Sequence, residues 1–126
     1  MSTATAPTRI GQIAINVRDV PRAVAFYRDG LGLPLLFEVP PKMAFFSCGG
    51  VRLMLSIPEE SAFDHPGSIL YYAVDDIEAS HAAMSARGVS FVDAPHLIAR
   101  MPDHELWMSF FKDPDGNTGA LMSEKR

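Results

Sequence analysis

Cysteine is nearly absent from this chain of 126 residues: Cys48 stands alone, which excludes an internal disulfide and a cysteine-rich zinc site. An excess of positive charge is missing as well. Eleven Lys and Arg against fifteen Asp and Glu leave a formal charge of −4. With no basic run to follow a phosphate backbone, nucleic acid is not an expected partner. No stretch approaches the roughly 18 apolar residues of a spanning helix, so no membrane association is expected. The first nine residues, MSTATAPTR, carry no apolar segment of an export signal, which points to a cytoplasmic protein. What the chain does have is apolar material: 48% hydrophobic and 21% charged residues, enough for a core and too much for a disordered segment. Its length is that of one domain. A single-domain protein with a small-molecule partner is the expectation.

The chain repeats itself. Residues 14–27 read AINVRDVPRAVAFY and residues 71–84 read YYAVDDIEASHAAM. An offset of 57 superposes Val17 on Val74, Asp19 on Asp76, Val20 on Ile77 and Ala25 on Ala82. Gly32 and Gly88 follow at an offset of 56, and MAFF at 43–46 recurs as MSFF at 108–111. Self-similarity in constant order indicates two like modules. They are placed at 9–57 and 68–124, after a tail (1–8) and around a polar linker (58–67), PEESAFDHPG.

Both modules use the same local signals. Residues 10–17 alternate and are rich in Ile and Val, as a half-buried strand requires. Asp19 stands at a helix N-cap, Pro21 just inside the helix, and an apolar stripe follows to Leu31. Gly30 and Gly32 stop that helix. The second module repeats the pattern with a strand over 69–74, Asp76 as cap, a helix to Ala86 and a stop at Gly88. Turns at Gly49-Gly50, Pro102-Asp103 and Asp113–Asn117 divide the strands that follow. The pattern predicts an α+β fold of two tandem βαβββ modules.

These elements resemble the vicinal-oxygen-chelate superfamily, the group of glyoxalases, bleomycin-resistance proteins and extradiol dioxygenases. The resemblance rests on Asp19-Val20-x-x-Ala23-x-x-Phe26-Tyr27 with Leu31-Gly32-Leu33, on Val74-x-Asp76-Ile77 with Gly88-Val89, and on Asp113-Pro114-Asp115-Gly116-Asn117. It implies eight strands curled into an open cup, a homodimer, and in most members a divalent metal chelated by adjacent substrate oxygens. The metal positions that the resemblance implies fall here on Gln12, Met54, Ile69 and Ala120. Only Gln12 offers a hard donor, so no metal and no other cofactor is expected.

Period-two alternation assigns the cup face. Gln12, Ala14 and Asn16 share it on the first strand, Arg52, Met54 and Ser56 on the fourth, and Ile69, Tyr71 and Ala73 on the fifth. The family pattern adds Leu106, Met108 and Phe110 and aims His104 at the rim. Gln12, Asn16, Arg52, Met54, Tyr71, His104, Met108 and Phe110 are therefore the candidate ligand-binding residues. The surface they describe suits an apolar or aromatic ligand held by a few polar contacts.

Two functions follow. One is metal-independent binding of such a ligand, in the manner of sequestering resistance proteins. The other is lyase or isomerase chemistry of the glyoxalase or epimerase kind, a proton removed beside a carbonyl. There His104, with His96 or Glu105, serves as the acid–base group or as ligand to a divalent metal, and Tyr71 as a further catalytic candidate. Glu105 faces away from His104 in an ideal strand and is expected to pair with Arg100. His81 reads as a packing residue, His65 as a solvent-exposed linker residue and Cys48 as non-nucleophilic.

Overall fold

Asp19 shows how the first module is built. In the computed structural model, which describes residues 5, 7–61 and 64–126, its backbone is extended and its carboxylate accepts the Arg22 N–H at 3.0 Å. That satisfies one of the donors a first helical turn leaves open. Pro21 occupies the position where a missing N–H does no harm. Of the expected tail (1–8) and linker (58–67), positions 1–4, 6, 62 and 63 lie outside the described residues.

Strand β1 (Gln12–Asn16) precedes the cap, and α1 (Val20–Val24) follows it. The expected α-helix to Gly30 changes character halfway. Ala25–Gly30 is π-helical, and the Leu31 N–H donates to the Phe26 carbonyl at 2.9 Å. Both aromatic residues on this wider turn meet the core: Phe26 lies 5.9 Å from Phe111, and Tyr27 lies 6.2 Å from Phe46. Strands β2 (Leu35–Val39), β3 (Met43–Cys48) and β4 (Val51–Ser56) complete the module. Gly49 and Gly50, at φ of 56° and 84°, close the β3–β4 hairpin with the two-residue geometry that side-chain-bearing residues resist. β1 runs parallel to β4, so the sheet order is β1-β4-β3-β2.

The second module has β5 (Leu70–Ala73), then α2 (Ile77–Ala86) capped by Asp76 through the Ala79 N–H at 3.1 Å. β8 (Glu105–Lys112) and β9 (Thr118–Lys125) form its centre, with β5 parallel to β9. The strand expected before Pro102-Asp103 is β7 (His96–Arg100), and a short strand that the sequence pattern does not announce, β6 (Ser90–Phe91), precedes it; both pair with β8. Among the described residues the strands number nine, in two sheets. Pro95 has no N–H for the ladder, and Asp93 takes over the interrupted stretch of β8. Its carboxylate accepts the Phe110 N–H at 2.8 Å, and its carbonyl accepts the Ser109 hydroxyl at 2.8 Å.

One hydrophobic cluster serves both modules. Val20, Ala23, Val24 and Tyr27 from the first helix pack with Phe46, Leu53 and Leu55 beneath them and with Ile77, Phe111 and Leu121 of the other module. A polar seam reinforces it. The Asp113–Asn117 turn reaches across so that Asn117 donates from Nδ2 to the Asn16 carbonyl at 2.9 Å, and Arg22 reaches Asp115 at 2.9 Å. The helices thus cover one face of each sheet. The opposite faces stay open, with Phe37 47% and Tyr71 45% exposed.

Candidate functional site

Strand register places the first group of side chains. In the β1–β4 pairing Gln12 stands opposite Arg52, Ala14 opposite Met54 and Asn16 opposite Ser56. β3 sets Phe45 beside Met54 and Met43 beside Ser56 on the same open face. Over this face lies a cavity of about 400 Å3, floored by Ala14, Asn16, Met43, Met54 and Ser56 and walled by linker residues including His65. A second cavity of about 350 Å3 shares Asn16 and His65 and continues between β1 and β5 past Leu70 and Tyr72. The Asn16 amide donates to the His65 carbonyl at 3.2 Å, which pins the linker over the floor. Such a surface, apolar with a few convergent polar groups, is what small-molecule sites are made of.

Farther along the same face the contacts become polar and aromatic. Arg52 donates from Nε to Gln12 Oε1 at 2.8 Å, and Gln12 Nε2 donates to the Met54 sulfur at 3.7 Å. The Arg52 guanidinium lies over the Phe45 ring, 5.5 Å from its centroid, and Phe45 stacks on Phe37 at 4.6 Å.

The other candidates lie on the second sheet. Tyr71 meets Phe110 edge to face at 6.0 Å, and Met108 stands opposite Met122 on β9. His104 sits at the end of the β7–β8 hairpin, its Nδ1 2.7 Å from Asp103 and its Nε2 3.9 Å from Glu124. The hydrogen bond to His104 and a second from Arg126 hold the Asp103 carboxyl below its ordinary value. None of Tyr71, His104, Met108 or Phe110 borders the 400 Å3 cavity. One chain therefore brings Asn16 and Met54 together and joins Gln12 to Arg52, but leaves the second-sheet candidates apart from them.

The pairing of His96 with His104 does not form. His96 stands opposite Met108, four residues along β8 from His104, or about 13 Å at strand spacing. Its Nδ1 lies 2.9 Å from the Ala94 carbonyl instead. Glu105 turns to Arg100 at 3.3 Å and accepts the Trp107 Nε1–H at 3.1 Å, so it shares no point with His104. His81 packs on Phe91 at 4.3 Å. Burial raises the Cys48 thiol, opposite to what a nucleophile needs.

The chemistry of the four implied metal positions does not fit a divalent ion. The Gln12 oxygen is taken by Arg52, Met54 presents a thioether, and Ile69 and Ala120 have no donor atoms, Ala120 being fully buried. Among the described residues no group of three or more His, Cys, Asp and Glu is placed to hold a metal. No helix among them is long and apolar enough to cross a membrane. Sequence reasoning missed His65 and Lys42 as cavity residues. No local signal marks them: the path of the linker brings His65 there, and the β2–β3 turn brings Lys42 beside Ile57, whose N–H donates to its carbonyl at 3.1 Å.

Comparison with known proteins agrees with this architecture. Residues 9–121 match the family model described as the Glyoxalase/Bleomycin resistance protein/Dioxygenase superfamily. A lactoylglutathione lyase from Agrobacterium tumefaciens superposes with a TM-score of 0.71 at 25% identity, covering 93% of this chain and 94% of that one. TnmS3, an antibiotic binding protein from Streptomyces sp. CB03234, superposes with a TM-score of 0.73 at 26% identity, covering 96% and 99%. An uncharacterized protein of Bacillus subtilis (strain 168), YraH, is 28% identical over 122 residues, 84% of this chain and 91% of YraH.

Proposed function

The chain belongs to the Glyoxalase/Bleomycin resistance protein/Dioxygenase superfamily, and from that premise we propose that it binds an apolar or aromatic small molecule on the open face of its first sheet, without a metal. The observation that carries this reading is the 400 Å3 cavity itself. Where the family resemblance implies metal ligands, this face offers the thioether of Met54 and an amide already engaged by Arg52. Methionine walls adapt to a flat or irregular ligand, and Asn16, Ser56 and His65 supply the few polar contacts that orient it. The likeness to an antibiotic binding protein supports sequestration as the use of that binding. The reading includes a cytoplasmic homodimer, in which a second copy lays Tyr71, Met108 and Phe110 against the first sheet's face and completes the cup.

Two measurements test it. Metal content per subunit is read after equilibration with Ni²⁺, Zn²⁺, Mn²⁺ and Fe²⁺ and desalting, and no retained equivalent is expected. Calorimetric titration with planar aromatic compounds follows, and Met54→Ala and Asn16→Ala are expected to weaken binding at least about tenfold. One equivalent of metal together with metal-dependent turnover overturns the reading.

A second reading rests on His104, whose imidazole lies between the carboxylates of Asp103 and Glu124. That arrangement can hold a proton-transfer group beside the rim of the cup, for lyase or isomerase chemistry next to a carbonyl. Turnover of such a substrate lost in His104→Ala, with folding intact, favours it. A His104→Ala variant equal to wild type removes it.

A further inference from the structure

Most of the arginines in this acidic chain are neutralised locally. Arg18, Arg22, Arg28, Arg100 and Arg126 each sit against a carboxylate, at 2.8–3.3 Å. Arg87 donates to the Gly30 carbonyl at 3.1 Å and, like Arg9 and Arg52, has no carboxylate partner among the described residues, but Arg9 and Arg52 stand together. They face each other across a cavity of about 470 Å3 that is lined by these two side chains with Gly11, Gln12 and Gly50, and by no acidic residue. Arg9 donates from Nη1 to the Gly50 carbonyl at 3.1 Å, and Arg52 donates from Nε to the Gln12 amide oxygen at 2.8 Å. Both contacts fix the guanidinium groups in place and leave their charge uncompensated. The two Arg52 terminal nitrogens make no hydrogen bond among the described residues. They form the flat edge that grips an oxyanion through two parallel hydrogen bonds.

The backbone makes room for such a guest. Gly11 and Gly50 flank the cavity, and a Cβ at Gly50 meets nothing within 4 Å. Arg52 also joins two environments. Its guanidinium stacks over Phe45, which stacks on Phe37, while Gln12 links it to Met54 on the floor of the 400 Å3 cavity. From the Gln12–Arg52 pair to the Asn16–Ser56 pair the face runs four residues, or about 13 Å. That is the length of a two- or three-ring molecule.

We propose that Arg9 and Arg52 form an oxyanion subsite that takes the carboxylate of an aromatic carboxylic acid whose rings lie over Met54 and beside the exposed Phe37. This rests on the small-molecule reading above and narrows it to an anionic ligand class. The acidic chain as a whole repels anions at long range, so the local pair of guanidinium groups has to supply the selectivity.

The test uses the intact chain and three probes: 2-naphthoate, its neutral analogue 2-naphthamide, and inorganic phosphate. Affinity is read calorimetrically, and the Arg52 Nε–H and Met54 methyl resonances are followed by NMR. The expected result is that naphthoate shifts both resonances and binds at least about tenfold more tightly than naphthamide. Arg52→Gln is expected to abolish that preference. Arg52→Lys, which keeps the charge and loses the fork, is expected to restore part of it. Arg9→Gln checks the second cation in the same way and is expected to reduce the preference.

Equal affinity for acid and amide, with the Met54 methyl shifted by both, overturns the subsite and leaves the small-molecule reading standing. A phosphate response at Arg52 with no Met54 shift from either naphthyl compound overturns the aromatic-acid assignment and counts against the small-molecule reading. No response at Arg52 to naphthoate or phosphate overturns the subsite outright.

Discussion

Tyr27, on the π-helical turn that follows α1, donates its phenol proton to the Asp113 carboxylate at 2.9 Å, a buried hydrogen bond between residues 86 positions apart. It ties the first module's helix to the turn between β8 and β9. Asp113 is 5% exposed and also accepts from the backbone of Asp115 and Asn117. Tyr27→Phe removes one donor and leaves the carboxylate buried with its others. A loss of about 1–3 kcal/mol is expected, measured by urea unfolding, with native secondary structure retained.

Alkaline pH should weaken the fold through the same residue. Burial, then the charge of Asp113, raises the Tyr27 phenol far above its ordinary 10.0, and burial raises that of Tyr72 as well. Below pH 10 both phenols are protonated in folded and unfolded chains, so their contribution is fully present. Above pH 10 the unfolded chain releases protons that the folded chain retains, so stability falls. The expected slope is up to about 1.4 kcal/mol per pH unit for each tyrosine. Unfolding measured between pH 8 and pH 11 shows it, and Tyr72→Phe should make the decline shallower. A flat profile for wild type would contradict the burial of both phenols.

Gly119 on β9 is a contact requirement. A Cβ there would come within 2.5 Å of the Phe111 ring, and Phe111 is 1% exposed in the centre of the core. Gly119→Ala forces that ring to shift in a packed interior, at about 1–3 kcal/mol. The midpoint of thermal unfolding should drop, and combining it with Phe111→Leu should cost less than the sum of the two.

Asn117 links the turn to the candidate site. Its amide donates both to the Asn16 carbonyl and to Asp113, at 2.9 and 2.8 Å, and Asn16 holds the linker through the His65 carbonyl. Asn117→Ala is expected to lower stability by about 1–3 kcal/mol. It should also weaken ligand affinity, although Asn117 does not line the 400 Å3 cavity. Asn117→Asp, which keeps the shape but replaces a donor with a charge beside Asp113, should be no better than Ala.

Local chemistry was legible in the sequence because its rules act over a few residues. Asp19 and Asp76 announce helix starts, Gly49-Gly50 a hairpin, and Asp113–Asn117 a turn; each is found in those roles. The 57-residue repeat made the two-module α+β pattern visible, and period-two alternation put Gln12, Asn16, Arg52 and Met54 on one face. The register of two neighbouring strands then joins Gln12 to Arg52, which alternation alone does not determine.

What only the tertiary structure decided concerns long-range placement. The short strand β6, and the break at Asp93–Pro95 that sets it apart from β7, depend on a side chain 17 residues from Phe110 that replaces a ladder partner. The His96–His104 pairing failed because the β7 register sets His96 against Met108. The linker brought His65 over the floor of the cavity, and Tyr71, Met108 and Phe110 do not line the cavity that Met54 floors. The sequence by itself determined the elements, their caps and which side chains share a face, because these follow from backbone geometry and alternation. Which faces meet, and which charges remain uncompensated, depends on how twisted sheets and a linker pack in three dimensions.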